Sequence, residues 1–213
     1  MYHVFNRGNG KRDIFHDEED SNRFIKIISK YRKIKKFKIY HWIIMPNHYH
    51  ILMHLEEPRA ISSIMAGIGR SYVHYYHPKY DSAGHLFQGR FKCQPVEAEE
   101  YLIACGRYIE RNPVAAGIEK KAEKYVFSSA GYYCYGLEDD LTQRDPSYDG
   151  FGKEEIERQH KYRQFLREFD RDEDRVFNNL EEPAGSEEFL RRLQREKGIF
   201  VPKNGRPSRK QVK

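Results

Sequence analysis

The stretch Ile43-Ile44-Met45-Pro46-Asn47-His48-Tyr49-His50-Ile51-Leu52-Met53 constrains the fold more than any other part of the chain. It is an apolar run with turn chemistry at its centre. Proline presets φ for a tight turn, and asparagine tolerates the turn's backbone. The run therefore predicts strand, turn, strand, with Phe37–Met45 and His48–Leu55 as the arms of an antiparallel hairpin. Alternate residues of a strand share a face, so His48 and His50 point together while Tyr49 turns toward the apolar core. Two imidazoles a few ångströms apart can grip one metal ion or one phosphate. Two histidines at this spacing can equally be solvent-facing or satisfied within a core.

The flanking patterns fix the order of elements. Residues 2–7 alternate and stop at Gly8-Asn9-Gly10, which predicts a short strand. Asp17–Lys33 carries Phe24, Ile27, Ile28 and Tyr31 at helical spacing, with acids in its first turn and bases in its last, as the helix dipole favours. Ala60–Tyr76 repeats that spacing with Ile61, Ile64, Met65, Ile68, Tyr72 and Tyr75. His85–Val96 reads as a further strand, and Glu97–Arg111 as a helix closed by Asn112-Pro113, because the residue before proline avoids the α region. The expected class is α+β: a ferredoxin-like βαββαβ antiparallel sheet with helices on one face, plus a C-terminal helical extension. The chain divides into a principal domain over residues 1–135, an acidic turn-rich linker over 136–152, a helical extension over 153–200 and a basic tail over 201–213. The extension is expected to hold charged amphipathic helices at Glu154–Asp170 and Ser186–Lys197. The tail, with no acid and no apolar face, is expected not to pack.

Composition adds limits rather than identity. A net charge of +6 over 213 residues, a third of them charged, favours a polyanionic partner without naming it. No run approaches the roughly 18 apolar residues of a membrane span, and the first residues lack the order of a signal peptide. Cys93, Cys105 and Cys134 are odd in number and widely spaced, so they make neither a disulfide framework nor a zinc knuckle. A reduced, cytoplasmic protein is expected.

Three groups of polar residues stand out besides the histidine pair. Tyr108-Ile109-Glu110-Arg111-Asn112-Pro113-Val114 lies in the second half of the domain, and Gln88, Arg90 and Lys92 fall on one face of the expected strand. The run Lys30–Lys38, which includes Lys35 and Lys36, is either a solvated helix end or a grip on a nucleic-acid backbone. Glu110 is expected to be solvated surface, and His41, His54 and His74 to be packing or surface residues.

Taken in order, Met45-Pro46-Asn47-His48-Tyr49-His50, Gly84-His85-Leu86-Phe87-Gln88-Gly89-Arg90-Phe91 and Tyr108-Ile109-Glu110-Arg111-Asn112-Pro113-Val114 resemble the HUH single-tyrosine transposases, and among them the REP-associated tyrosine transposases. Phe5-Asn6-Arg7-Gly8 and Phe127-Ser128-Ser129 also fit, although a tryptophan is commoner in that branch where Phe127 stands here. The resemblance covers roughly residues 2 to 135. It implies an enzyme that cleaves and rejoins single-stranded DNA near hairpins through a 5′-phosphotyrosine, with Tyr108 as nucleophile. It implies a divalent ion, Mg²⁺ or Mn²⁺, held by His48, His50 and Asn112, and DNA contacts from Arg7, Gln88, Arg90 and Lys92; the basic run adds Lys35 and Lys36 to the expected DNA contacts by charge alone. The expected partner is single-stranded DNA with hairpin structure, bound by a monomer or homodimer.

The residue types suit that chemistry. Positions i and i+4 of a helix share a face, so Tyr108 and Asn112 can reach one ion. A phosphodiester needs its developing charge neutralised, and a phenol of ordinary pKa near 10 needs activation. Two other readings stay open: a non-catalytic nucleic-acid binder of the same βαββαβ order, and a metal-dependent phosphodiesterase that uses water and leaves Tyr108 idle.

Overall fold

The computed structural model describes residues 1–97, 100–180 and 182–197, so the basic tail over 201–213 lies outside the described residues. Its centre is a four-stranded antiparallel sheet in the order β2-β3-β1-β4, from β1 (Tyr2–Arg7), β2 (Lys38–Met45), β3 (His48–His54) and β4 (Lys92–Pro95). The hairpin expected around Pro46-Asn47 is present, and its turn is anchored from outside. The Pro46 carbonyl accepts from the Ile14 and Phe15 N–H groups, and the Asn47 carbonyl from Gly8 N–H. β1 lies beside β3 with Phe5 opposite His50 and Arg7 opposite His48.

Two helices, α1 (Glu18–Lys35) and α2 (Ile61–Lys79), cover one face. α1 starts where the sequence places its start: the Asp17 carboxylate caps the helix by accepting from Asp20 N–H. Phe24, Ile28, Ile64, Ile68 and Tyr72 pack there on Val4, Trp42, Ile44, Tyr49, Ile51 and Met53. Tyr49 thus turns to the core as its alternation requires. The α+β class and the βαββαβ order hold. The expectation of helices on one face holds for α1 and α2 and fails for the next helix, α3 (Glu100–Ala115), which packs on the opposite face against Ile43, Met45 and Leu52. Element order alone does not reveal this, because the short connection after the edge strand β4 permits either side.

A bulge in β2, where the register passes from Ile39 to His41, brings both Tyr40 and His41 to the α3 side. There α3 approaches β2 closely: a Cβ on Gly106 would lie 2.6 Å from the His41 ring, so this helix position admits only glycine at the observed spacing.

Three further expectations are corrected. Only Lys92–Pro95 of the expected strand His85–Val96 is strand, since residues 85–91 leave the sheet as a loop held by Gln88 N–H to Arg7 O and Asn9 N–H to Leu86 O. Asn112-Pro113 does not end α3, which continues to Ala115 with Pro113 inside it. Proline lacks the N–H that would bond the Ile109 carbonyl four residues back; the Asn112 amide donates to that carbonyl at 3.1 Å, and to the Tyr108 carbonyl at 3.0 Å, in its place. The acidic stretch over 136–152 is not a free linker. Leu141, Asp145 and Tyr148 are buried, and residue 142 forms a bridge with Ile39 on the edge of β2.

Beyond it, α4 (Ala130–Tyr135) and α5 (Glu155–Arg167) form a third layer over α3 through Tyr133, Cys134, Tyr162 and Leu166, followed by α6 (Arg171–Asn178) and α7 (Glu187–Lys197). α5 and α7 match the two expected extension helices. No helix among the described residues is long and apolar enough to cross a membrane.

Glu110, expected on the surface, is fully buried in the joint between these layers. It accepts from Ser129 Oγ at 2.6 Å and Tyr162 Oη at 2.8 Å and pairs with His41 Nδ1 at 2.8 Å, while His41 Nε2 meets Asp145 at 3.0 Å. Burial alone would lower the His41 pKa, but the hydrogen bonds and charges of Asp145 and Glu110 overcome it and hold the group at about 9. A raised folded-state value gives stabilisation that is fully present below the ordinary 6.5 and is lost as pH rises through about 9. Chemical denaturation should therefore show the protein losing on the order of 3 kcal/mol across that window. His41→Ala, which strands two buried carboxylates, should cost about 3–5 kcal/mol at neutral pH. A flat stability profile between these pH values would contradict an ionised His41.

Candidate active site

One cleft of about 550 Å³ opens at the end of the sheet where β1 and the β2–β3 turn meet the loop over residues 85–91. Phe5, Arg7, His48 and His50 line it from the sheet, Tyr108 and Asn112 from α3, and Lys11, Gln88, Arg90 and Lys92 from its rim. Eight of the ten residues singled out in the sequence thus meet in one place: Arg7, His48, His50, Gln88, Arg90, Lys92, Tyr108 and Asn112. Gln88 and Arg90 reach it from a loop, not from a strand face. Lys35 and Lys36 do not reach it. They border a separate surface hollow with Leu55, Glu56 and Glu57, at the opposite end of β3 from His48, roughly 20 Å away for a strand of this length.

Strand alternation places the two imidazoles side by side, with ring centroids 5.2 Å apart. His48 Nε2 lies 3.4 Å from Asn112 Oδ1 and its Nδ1 lies 2.5 Å from Asn47 Oδ1. His50 is buried, with Nδ1 2.8 Å from Nε2 of His3 on the neighbouring strand. Burial lowers the pKa of all three rings. His3 falls to about 4 against an opposing hydrogen bond from Gln94. His48 is lowered although its contact with Asn112 opposes the shift. His50 is lowered further by the neighbouring charges of His3 and His48. At neutral pH all three are neutral and can offer a lone pair.

The Tyr108 ring packs against His50, His3 and Phe177, with centroids 5.7, 5.8 and 5.7 Å away. Its hydroxyl donates to Asn178 Oδ1 at 3.0 Å, and burial pushes its pKa well above the ordinary phenol value. Arg7 Nε donates to Gln88 Oε1, which holds the guanidinium at the mouth of the cleft.

Among the described residues no three His, Cys, Asp or Glu side chains cluster as a metal site. The Asn112 amide oxygen, 3.4 Å from His48 Nε2, can serve as a third donor beside His48 and His50. Such a set would leave further positions of an ion to oxygens of a bound phosphate or water.

The sequence reading missed His3, Gln94, Asn47 and Asn178. His3 was detectable in principle, since it alternates with Phe5 and Arg7 on β1. Asn178 arrives from α6, and nothing in its local sequence marks it.

Two comparisons bear on the family and the fold. The family model described as "Transposase IS200 like" matches residues 1–112, more than half of the chain, and this protein belongs to that family, whose members process DNA. A solved structure described as "Structure of the REP associates tyrosine transposase bound to a REP hairpin" superposes with a TM-score of 0.54 at 21% identity, over 68% of this chain and 84% of that one, and shows the same fold. No curated protein matches the chain.

Proposed function

We propose that this transposase cleaves and rejoins single-stranded DNA beside a hairpin, in the manner of the REP-associated enzymes, with Tyr108 as nucleophile. The observation that carries this is the meeting of Tyr108, His48, His50 and Asn112 in one cleft rimmed by Arg7, Lys11, Arg90 and Lys92. The Tyr108 hydroxyl leaves Asn178 and attacks the scissile phosphorus. A phosphotyrosine ester forms on the 5′ side of the downstream strand, the bond to the 3′ oxygen breaks, and the phenol proton is balanced by protonation of that oxygen. The ester keeps the energy of the broken bond, so a 3′-hydroxyl can reverse the step without an external nucleotide.

The donor set fits a divalent ion. Two neutral imidazoles and an amide oxygen favour Mn²⁺ over Mg²⁺, which prefers oxygen ligands. His48, His50 and Asn112 would hold the ion, and it would supply Lewis-acid neutralisation of the phosphate and lower the phenol pKa. Arg7, steadied by Gln88, and Arg90 with Lys92 would grip the flanking backbone. Lys35 and Lys36 have no place in this contact.

Binding separates this reading from a duplex-binding one. Hairpin-bearing single-stranded DNA should bind better than a blunt duplex of equal length, because a closed duplex cannot present one backbone with unpaired flanks to Tyr108. Affinity should fall as salt rises, through counterion release. Fluorescence anisotropy across a salt series measures both, and equal affinity for the duplex at every salt level would sink the single-strand reading. A protein–DNA band that survives denaturation separates a tyrosine transferase from a non-catalytic binder or a water-using phosphodiesterase, neither of which forms one.

A further inference from the structure

We infer that two amide–histidine relays fix His48 and His50 in one tautomer, Nδ1 protonated and Nε2 bearing the lone pair, and that the C-terminal extension is a working part of the His50 relay. His3, Gln94 and Asn47 are on this account positioning residues. Their use in holding an ion rests on the proposed metal role; the tautomers themselves do not.

The first relay starts far from the cleft. Gln94 on β4 is buried, and its Nε2 lies 3.0, 3.2 and 2.8 Å from the carbonyl oxygens of Val176, Asn179 and Glu182. Carbonyls only accept, so the nitrogen end of the amide is fixed toward them and Oε1 is fixed toward His3 Nδ1, 3.2 Å away. An amide oxygen brings no proton, so His3 Nδ1 carries it. His3 is wholly buried and pairs with Gln94 and His50, neither of them an acid, so it holds a single ring proton. Its Nε2 is then an acceptor, and the proton in the 2.8 Å contact belongs to His50 Nδ1. The lone pair of His50 is left on Nε2.

The second relay is shorter and reaches the same result. Asn47 Nδ2 donates to the Lys11 carbonyl at 3.2 Å, which leaves Oδ1 to accept from His48 Nδ1. A His48 ring with a single proton therefore bears its lone pair on Nε2, 3.4 Å from Asn112 Oδ1. The Asn112 amide is oriented too, since its nitrogen donates to the Tyr108 and Ile109 carbonyls. His48 Nε2 and Asn112 Oδ1 thus lie 3.4 Å apart with a lone pair on each. Such an arrangement is unfavourable when empty of charge and favourable around a cation. A ligating histidine is normally held this way, by an outer partner that takes the proton of its other nitrogen.

The unusual element is the source of that partner. Val176, Asn179 and Glu182 lie well beyond residue 112, where the family match ends. Without their carbonyls the Gln94 amide could turn over, His3 could reverse its proton, and His50 could present Nε2–H to the cleft, a form that repels a metal. In water the Nε2–H tautomer is the commoner one for a free histidine, so the relay works against the default.

The test is a long-range ¹H–¹⁵N correlation spectrum of the histidine-labelled full chain after chelator treatment, repeated during a Mn²⁺ titration. His48 and His50 should both show protonated Nδ1 and unprotonated Nε2 before metal is added. In Gln94→Leu the His50 signals should move toward a tautomer mixture while those of His48 stay, and Mn²⁺ affinity should fall about 10- to 100-fold. The wild-type spectrum needs no variant, so a misfolded Gln94→Leu protein does not protect the inference. Nε2–H or a doubly protonated ring at either histidine in the wild type would overturn it. If the tautomers stand as stated but Mn²⁺ leaves the His48 and His50 signals sharp, the relays hold and the metal role fails. If Mn²⁺ broadens signals that show mixed tautomers, the metal role holds and the relays fail.

Discussion

Tyr108→Phe is expected to end covalent attachment to single-stranded DNA and to lower strand cleavage on the order of 10⁴-fold or more, since it deletes the nucleophile itself. The fold should survive. The phenylalanine ring keeps the packing on His3, His50 and Phe177, and among the described residues the loss is the hydroxyl's bond to Asn178, about 1 kcal/mol. Hairpin affinity should change little, because the rim of Arg7, Gln88, Arg90 and Lys92 is untouched. A denaturing gel for the adduct, anisotropy for binding and a thermal melt for the fold measure the three parts separately. A Phe variant that still forms the adduct would move the nucleophile elsewhere.

The second large effect concerns the histidines. His48→Ala should lower metal-dependent cleavage by roughly 10²- to 10³-fold, the range expected when a principal electrostatic stabiliser of a phosphoryl transition state is removed. A chelator should reproduce that loss in the wild type, and Mn²⁺ should restore it more fully than Mg²⁺. His50→Ala should lose activity as severely, but it should also destabilise the fold by about 1–3 kcal/mol, because it leaves the buried Nε2 of His3 without its donor. The contrast is itself informative: His48 sits at the mouth of the cleft and His50 within it. Undiminished cleavage in chelator would remove the metal from the reaction.

Much of this was legible in the sequence because it depends on short-range regularities. The Pro46-Asn47 turn fixed the hairpin, and a period of two then placed His48 and His50 together. A period of 3.6 placed Tyr108 and Asn112 on one face of α3. What failed depended on contacts between distant segments. Pro113 read as a helix end, since nothing local shows that the Asn112 side chain can bond the carbonyl that proline leaves vacant. Glu110 read as solvated, because its partners His41, Ser129 and Tyr162 are separated from it in sequence by as many as 69 residues. The acidic composition of residues 136–152 resembled a linker although Asp145 is spent on His41. Lys35 and Lys36 were judged by charge density, which does not report which end of the sheet a residue occupies.

The polarity of the covalent link tests the central claim most directly. A hairpin-bearing oligonucleotide is labelled at its 5′ end in one sample and at its 3′ end in another, incubated with protein and Mn²⁺, and resolved under denaturing conditions. Only the 3′-labelled fragment should migrate with protein, and peptide mapping should place the nucleotide on Tyr108. The 5′-labelled fragment should end in a free 3′-hydroxyl that a polymerase extends. Protein attached to the 5′-labelled fragment, a nucleotide mapped to another residue, or cleavage that leaves both fragments free of protein would contradict it.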